Sequence, residues 1–470
     1  MSAPSPVRPA LAPALDGPTV DGPTAAEDWA VPWRPVLGGL AALAWFAGTS
    51  TVPRATQAGV LVVVAVALAV VLLAREGRAR AVAAVTALLT LFLSIPVSRI
   101  PDGRELLLLV AAGAAVLGGV AVLGASRRGL PRGTGLLVLL VAVLAAATAV
   151  GGHEGGLLTL ALVAVAGVPV FLVTGSLDAR GRRDVALVVV GLAVGQALLA
   201  LAEPFVVPQH LWAPAQIGSS GQPVALTNEL VGSIERSQGT LGHPLPLGLL
   251  LVVALALTTR HLTAHPRALR LAVQGVLLGG IVVAGARSSL VMAVVVLVLL
   301  SGRLTPARLV TAMSAAVAGL VALMVSSADL ALRLGEIEAS GSWQHRLGAV
   351  RSVERLLLRQ DLRDVLLGNG YGSTSEVIGE GLLQNDGFAA VDNQFVLLLS
   401  QGGLVALVLL LALLATAAFR GEATALPALL CVGATLVVFD VLLWPGATVV
   451  LGTVLGLALT AGATDRQAAP

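Results

Sequence analysis

The sequence predicts an all-α polytopic membrane protein, and three observations carry that prediction. Of 470 residues, 57% are hydrophobic and only 12% charged, where soluble chains carry about 25% charged residues. The apolar residues form long continuous runs and do not alternate every second position, which excludes a membrane β-barrel. The 29 basic residues are all arginine, and they gather in alternate loops between the runs, as in a chain that crosses a bilayer repeatedly. A water-soluble fold is excluded on the same grounds. The net charge of +3 is small, and no nucleic-acid partner is expected. Cys431 stands alone inside an apolar run, so intrachain disulfides, cysteine metal sites and redox pairs are excluded.

Residues 1–34 are rich in proline, alanine and acidic side chains without a helical period, and read as a disordered cytoplasmic tail. They lack the basic start and short apolar core of a cleaved signal peptide, so the first span is expected to stay as an anchor. Fourteen apolar stretches follow, giving about 14 transmembrane helices. Seven of them, near 35–52, 58–74, 81–97, 106–125, 133–150, 157–174 and 185–202, make an N-terminal membrane region over 35–202. A first long loop, 203–244, separates them from central helices over 245–326, with stretches near 245–259, 271–286, 290–301 and 309–326. A second long loop, 327–393, precedes C-terminal membrane helices over 394–470, with stretches near 394–419, 424–439 and 447–462. The stretch at 290–301 is short for a crossing, which takes about 20 residues; it extends through Gly302 or is partly buried in protein.

Orientation follows from the arginines. Loops after even-numbered spans carry Arg75, Arg78 and Arg80, then Arg127, Arg128 and Arg132, then Arg180, Arg182 and Arg183. Later even loops carry Arg260, Arg267 and Arg270, then Arg303 and Arg308, then Arg420. The short loops after odd-numbered spans carry only Arg54, Arg99, Arg104 and Arg287. The positive-inside rule then places the even loops and both termini in the cytoplasm. Both long loops fall on the outer face, where long ordered loops usually carry function.

The first loop closes on Glu235-Arg236-Ser237-Gln238-Gly239-Thr240-Leu241-Gly242-His243-Pro244. Its glycines and prolines set a turn that holds Arg236 and His243 at the outer surface. A soluble loop with a proline-initiated helix accounts for the same run, and spacing leaves both readings open. Between the ninth and tenth spans lies Gly285-Ala286-Arg287-Ser288-Ser289. An arginine there faces a polar cavity or an anion, or snorkels to the headgroups. Ser288 and Ser289 are placed to cap the next helix, whose free N–H groups form an anion site.

The second loop holds Ser342-Trp343-Gln344-His345-Arg346-Leu347 and a helical pattern that runs to Arg363. Trp343, Leu347, Val350, Val353 and Leu357 form an apolar stripe, and Arg351, Arg355, Arg359 and Arg363 recur on another face. Like charges at that spacing suit lipid headgroups, a phosphorylated substrate or plain solvent. Arg346, beside Trp343 and His345, is the better site candidate, whereas Arg359 and Arg363 are expected to tolerate alanine. Gly368-Asn369-Gly370-Tyr371-Gly372 is a glycine-rich turn without the lysine or preceding strand of a nucleotide loop. Val391-Asp392-Asn393-Gln394 leads into the twelfth span, where Asp392 and Asn393 could serve as caps. No HExxH, CxxC or DxD element lies on the outer face, so no metal and no cofactor are expected.

Taken in order, these residues resemble the O-antigen ligase and polymerase superfamily of bacterial envelope glycan enzymes. The resemblance rests on Arg236-x-x-Gly239-x-x-x-His243-Pro244, Arg287-Ser288 after a span, the Trp343 arginine helix followed by Gly368-x-Gly370, and Asp392-Asn393 with Gly402-Gly403 beyond. It covers roughly 230–415. It implies a metal-independent glycosyltransferase of the bacterial inner (plasma) membrane. Such an enzyme moves a glycan from an undecaprenyl-pyrophosphate carrier to an acceptor hydroxyl at the outer leaflet. The implied partners are the lipid-linked oligosaccharide, the bilayer and the glycan acceptor, with a chain-length regulator or flippase alongside. The ligase branch has His-Asn where this chain has Asp392-Asn393, which favours a polymerase over a ligase.

The chemistry gives these residues roles. Charge growing on the leaving pyrophosphate needs fixed donors, and paired arginine N–H groups can supply them in place of a divalent metal. Arg236, Arg287 and Arg346 are the expected pyrophosphate ligands. His243 or Asp392 would take the acceptor proton, with Ser288, His345 and Asn393 positioning substrate. A lipid-oligosaccharide flippase would share the hydropathy, but needs no long outer loop. A purely structural scaffold would leave the motif arginines without a role.

Overall fold

The computed structural model describes residues 77–94, 129–206, 226–300, 341–385 and 390–461, apart from residue 229 and residues 232–233, and helical pieces within 112–122. The side chains of 299–300 and 341–346 also fall outside the description. The expected tail over 1–34 and the stretches at 35–52, 58–74 and 309–326 lie outside the described residues.

What is described is mostly helical, with one isolated antiparallel bridge between Thr227 and Glu235. In chain order the apolar helices begin with α1 (Gly77–Ser94), α2 (Thr134–Val150), α3 (Glu154–Ser176) and α4 (Ala179–Val206). They continue with α5 (Pro244–His261), α6 (Arg267–Ala284) and α7 (Arg287–Leu300). The second long segment contributes α8 (Gly341–Leu357), α9 (Leu362–Leu367) and α10 (Thr374–Gly379). Last come α11 (Gln394–Arg420), α12 (Leu426–Val438), a 3-10 turn at Val441–Leu443, and α13 (Pro445–Ala458). Helices α1, α3, α4, α5, α6 and α11 are long and apolar enough to cross a membrane, and α2, α7, α12 and α13 are shorter apolar helices. Each overlies one of the apolar stretches read from the sequence.

Burial sorts the helices. Every residue of α5 from Pro244 to Thr258 is buried, as expected for a helix apolar on all faces; it is the central post, packed by α4, α6, α7 and α12. Helices α3 and α13 approach most closely because glycines face each other. A Cβ on Gly452 would stand 2.5 Å from the Gly167 carbonyl, and one on Gly456 2.8 Å from the Phe171 carbonyl. Small residues are the usual device for close helix contact where lipid removes the hydrophobic drive.

Hydrogen bonds gather the helix termini into two ends. At one end Arg132 donates to the Arg420 carbonyl at 3.4 Å, Arg182 pairs with Glu422 at 3.4 Å, and the Ala461 N–H bonds to Gly175 at 2.9 Å. The other end joins the C-terminal parts of α1, α4 and α6 to the start of α5, and the last turn of α2 to the segment before α11. The residues singled out as candidate site residues fall on this second end, called here the site end.

The helix expected to run to Arg363 breaks after Leu357. Asp361 caps a new helix, accepting from the Arg363 N–H at 2.8 Å. The buried face of α8 also differs from the expected stripe. Ala349, Ser352 and Leu356 are buried, while Val350 is 55% and Leu357 41% exposed. Small residues decide this: Gly348 and Ala349 let α8 lie close to Gln384 and the start of α11, where a Cβ on Gly348 would stand 2.9 Å from the Gln384 Cβ.

Candidate functional site

The run 226–243 is stitched to the helix ends by buried polar groups. Asn228, fully buried, donates to the Val282 and Val283 carbonyls at 2.9 and 3.0 Å, satisfying acceptors that the C-terminus of α6 leaves free. Its Oδ1 accepts from the Leu230 N–H at 2.9 Å, closing the turn. The Arg236 Nε donates to the Ala284 carbonyl at 3.0 Å, and its stem lies over Gly285, where a Cβ would stand 3.0 Å from Arg236 Cγ. Gly285 ends α6 at φ 62°, a left-handed cap that suits glycine. Arg287 follows two residues later, exposed at the first position of α7. The corner between α6 and α7 thus joins two of the three expected phosphate ligands.

Helix α7 begins at Arg287, which places Ser288 and Ser289 inside its first turn. Neither is the cap that the sequence suggested, because Gly285 turns the chain so sharply that only Gly285 and Ala286 separate the two helices. The Leu290 N–H already bonds to the Ala286 carbonyl at 3.0 Å.

Two buried residues of α4 fix the turn leading to His243. Glu203 Oε2 accepts from the Gln238 and Gly239 N–H groups at 2.9 and 3.0 Å. Gln196 accepts from the Thr240 N–H at 3.1 Å and donates to the Leu93 carbonyl at 3.2 Å. His243 then caps α5, its Nδ1 accepting from the Leu245 N–H at 3.2 Å. That bond assigns the proton of a neutral ring to Nε2, so in this arrangement Nε2 is a donor. The ring is held between Phe439, stacked at 5.8 Å, and Trp444, tilted at 5.2 Å.

Phe439 and Trp444 flank the 3-10 turn that joins α12 to α13. The buried Asp440 accepts from the Trp444 indole N–H at 3.1 Å. The Leu442 N–H donates to Gln394 at 2.7 Å, and the Leu442 carbonyl accepts from the Tyr371 hydroxyl at 2.6 Å. Burial, with Asp440 second, pushes the Tyr371 phenol well above its ordinary range, so it stays protonated as this donor. One short turn thereby connects the His243 cradle, the start of α11 and the glycine-rich turn.

At the head of α11, Asn393 is the cap, its Oδ1 accepting from the Phe395 and Val396 N–H groups at 3.0 and 3.1 Å. Asp392 is half-buried one residue earlier. The glycine-rich turn inserts where α11 breaks at Gly403, φ 64° and ψ −167°. This break frees the Ser400 and Gln401 carbonyls, which accept from the Asn369 and Gly370 N–H groups at 3.0 and 2.8 Å. On its other side the turn abuts α2, with the Tyr371 N–H donating to Thr148 at 2.8 Å. Beneath Tyr371 and Leu442 lies an apolar cavity of about 50 Å³ between α2, α3 and α13, lined in part by Leu140, Leu144, Leu160 and Leu451.

Arg359 donates to Asn369 Oδ1 and so braces the same turn. Burial lowers its affinity for a proton, while Asp364 and Glu380 raise it. Arg355 reaches the Gly381 carbonyl at 2.6 Å, and Arg363 is exposed. Arg346 and His345 lie on α8, and their side chains are outside the described set.

Glu203, Gln196, Asn228 and Asp440 were missed in the sequence. A signal existed for three of them, since polar residues embedded in or between apolar runs (Gln196, Glu203 and Asp440) are costly unless used. Asn228 carried none. Among the described residues, no three His, Cys, Asp or Glu side chains gather as metal ligands. No protein-family model matches the chain, and no curated protein matches it in sequence.

Proposed function

We propose that the chain is a metal-independent membrane glycosyltransferase resembling the O-antigen polymerases and ligases, with the site end facing the outer leaflet. The reading takes the protein to be a bacterial inner-membrane protein of about fourteen spans, with cytoplasmic termini. One observation supports it above the others: Arg236 bonds to the α6 corner from which Arg287 departs, while the same run cradles His243 against the Phe439–Trp444 turn.

The chemistry of the transfer gives the residues their roles in this reading. Arg236 and Arg287, with Arg346 from α8, bind the pyrophosphate of an undecaprenyl-linked donor. His243 with its proton on Nε2 donates to the leaving phosphate. A carboxylate then accepts the proton of the attacking sugar hydroxyl. The hydroxyl oxygen bonds to the anomeric carbon as the bond from that carbon to the pyrophosphate breaks, and the pyrophosphate leaves on its lipid. Asp392 is the assigned carboxylate because it is half-buried at the head of α11 beside the Asn393 cap, whereas Asp440 is buried beside the His243 cradle. His243 could act as the base only by giving up its bond to Leu245. Ser288, His345 and Asn393 position substrate, Asn393 through the helix start that it fixes.

Within this reading a polymerase is favoured, since Asp392 stands where ligases have histidine. Deleting the gene and analysing the accumulated lipid-linked glycans tests it. Single repeat units on the carrier are expected. Full-length polymer that is never transferred would replace the polymerase by a ligase, and precursors trapped on the cytoplasmic leaflet would replace the transferase by a flippase.

A further inference from the structure

We propose that residues 357–367, the corner after α8 together with α9, form an interfacial anchor whose leucines insert into the lipid leaflet at the site end. The first observation is exposure. Leu358 is 73%, Leu362 67%, and Leu366 and Leu367 each 38% exposed, with Val350 and Leu357 beside them. Among the described residues outside the apolar helices, the other exposed large hydrophobics are Leu130 and Val231. Such a density of apolar side chains marks a surface that something covers.

Height identifies what covers it. The Arg420 end of α11 meets Arg132, and arginines of this kind mark the headgroup level. From Arg420 to Gly403 the helix rises about 26 Å at ~1.5 Å per residue. The hydrocarbon core of a bilayer is about 30 Å thick. The backbone of Leu366 and Leu367 packs directly on Gly403, so α9 lies near the upper edge of that core. An independent ruler agrees. Thr148 stands about 21 Å above Thr134 along α2 at ~1.5 Å per residue, and a Cβ on Gly370, three residues beyond α9, would stand 2.7 Å from the Thr148 Cα. Helix α9 therefore lies at the depth of the lipid interface, and its apolar side adjoins Leu404 of α11, which is exposed with Val408 and Leu411.

Charge fits the same surface. Arg351 and Arg363 are exposed around the leucines, at the level where anionic lipid phosphates would meet them. The Asp361 carboxylate is engaged in capping α9. Leucines in the acyl boundary with arginines at the phosphates are the ordinary arrangement of an interfacial amphipathic segment. Its consequence is mechanical: the lipid would set the height of α9, and α9 that of the glycine-rich turn. The inference requires only that α11 spans the bilayer, and it stands apart from the transferase reading.

The test uses the full-length protein in nanodiscs of phosphatidylcholine and phosphatidylglycerol, in a Cys431→Ala background. Leu358→Cys, Leu362→Cys and Leu366→Cys carry an environment-sensitive fluorophore, with Ser375→Cys on the exposed side of α10 as the aqueous reference. The labels at 358, 362 and 366 should emit to the blue of the reference. A nitroxide high on the lipid acyl chain should quench them strongly and aqueous iodide weakly, with the order reversed at 375. Equal iodide quenching at 362, 366 and 375 would place this face in water, open to a soluble protein partner, and overturn the anchor.

Discussion

Arg359 shows how a residue changes meaning once its neighbours are placed. On the sequence it is one of four arginines at helical spacing, dispensable beyond the motif. In the fold it bonds to Asn369 inside the glycine-rich turn. A hydrogen bond to a charged group contributes about 1.5–3 kcal/mol, so Arg359→Ala should lower the melting temperature in detergent clearly, whereas Arg363→Ala should not. The head of α11 separates in the same way. Asn393→Ala removes the cap and should cost about 1 kcal/mol, visible as a lower unfolding midpoint. Asp392→Asn keeps the size of the side chain and removes a proton acceptor, so it should stop polymer growth while the protein accumulates to the wild-type level. Growth at the wild-type rate would remove Asp392 from the chemistry. Arg236→Ala, Arg287→Ala and Arg346→Ala should each abolish transfer in cells while the protein still inserts. Lysine should rescue poorly, since a point charge cannot reproduce paired N–H donors.

Among elements, the break in α11 matters most to the site. Gly403 at φ 64° and ψ −167° occupies a backbone region open essentially to glycine alone, where another residue costs about 1–3 kcal/mol. The break frees two carbonyls for the glycine-rich turn, and that turn carries Tyr371 to the Leu442 carbonyl. Gly403→Ala should therefore do more than destabilise. Limited proteolysis should cut within 368–373 faster than in the wild type, and transfer should fall even where the protein remains folded. Protection equal to the wild type would mean that the turn docks without the break. The helix in the second loop carries a related lesson. Its apolar period was legible as Trp343, Leu347, Val350, Val353 and Leu357, yet the buried face is Ala349, Ser352 and Leu356. Close packing against α11 selected small residues for much of that face and left Val350 and Leu357 exposed.

For the whole molecule the governing feature is the separation of its two ends. Arg132, Arg182 and Arg420 meet at one end, and the residues from Arg236 to Asp440 that hold the His243 cradle meet at the other. If the site end is external, Ser375→Cys should react with an impermeant maleimide added to intact cells, and Arg180→Cys should react only after permeabilisation. Both positions are exposed, so reversed labelling would invert the topology and with it the outward-facing site.

Composition and hydropathy by themselves determined that the chain is a helical membrane protein and where ten of its helices run. These properties depend on the local run of apolar residues, because a backbone in lipid must satisfy its hydrogen bonds within the helix. The loop positions of Arg236, His243, Arg287 and Asp392 were legible for the same reason, since charge avoids the hydrocarbon. Tertiary structure alone decided which of them meet. The contacts of Glu203 with the Gln238 turn, Asn228 with α6, His243 with Trp444, and Tyr371 with Leu442 join residues far apart in sequence. No local pattern in the sequence specifies the partner in any of them. The same holds for the exposed leucines of α9: their sequence is that of any short apolar helix, and only the glycine against which they pack sets their depth in the bilayer.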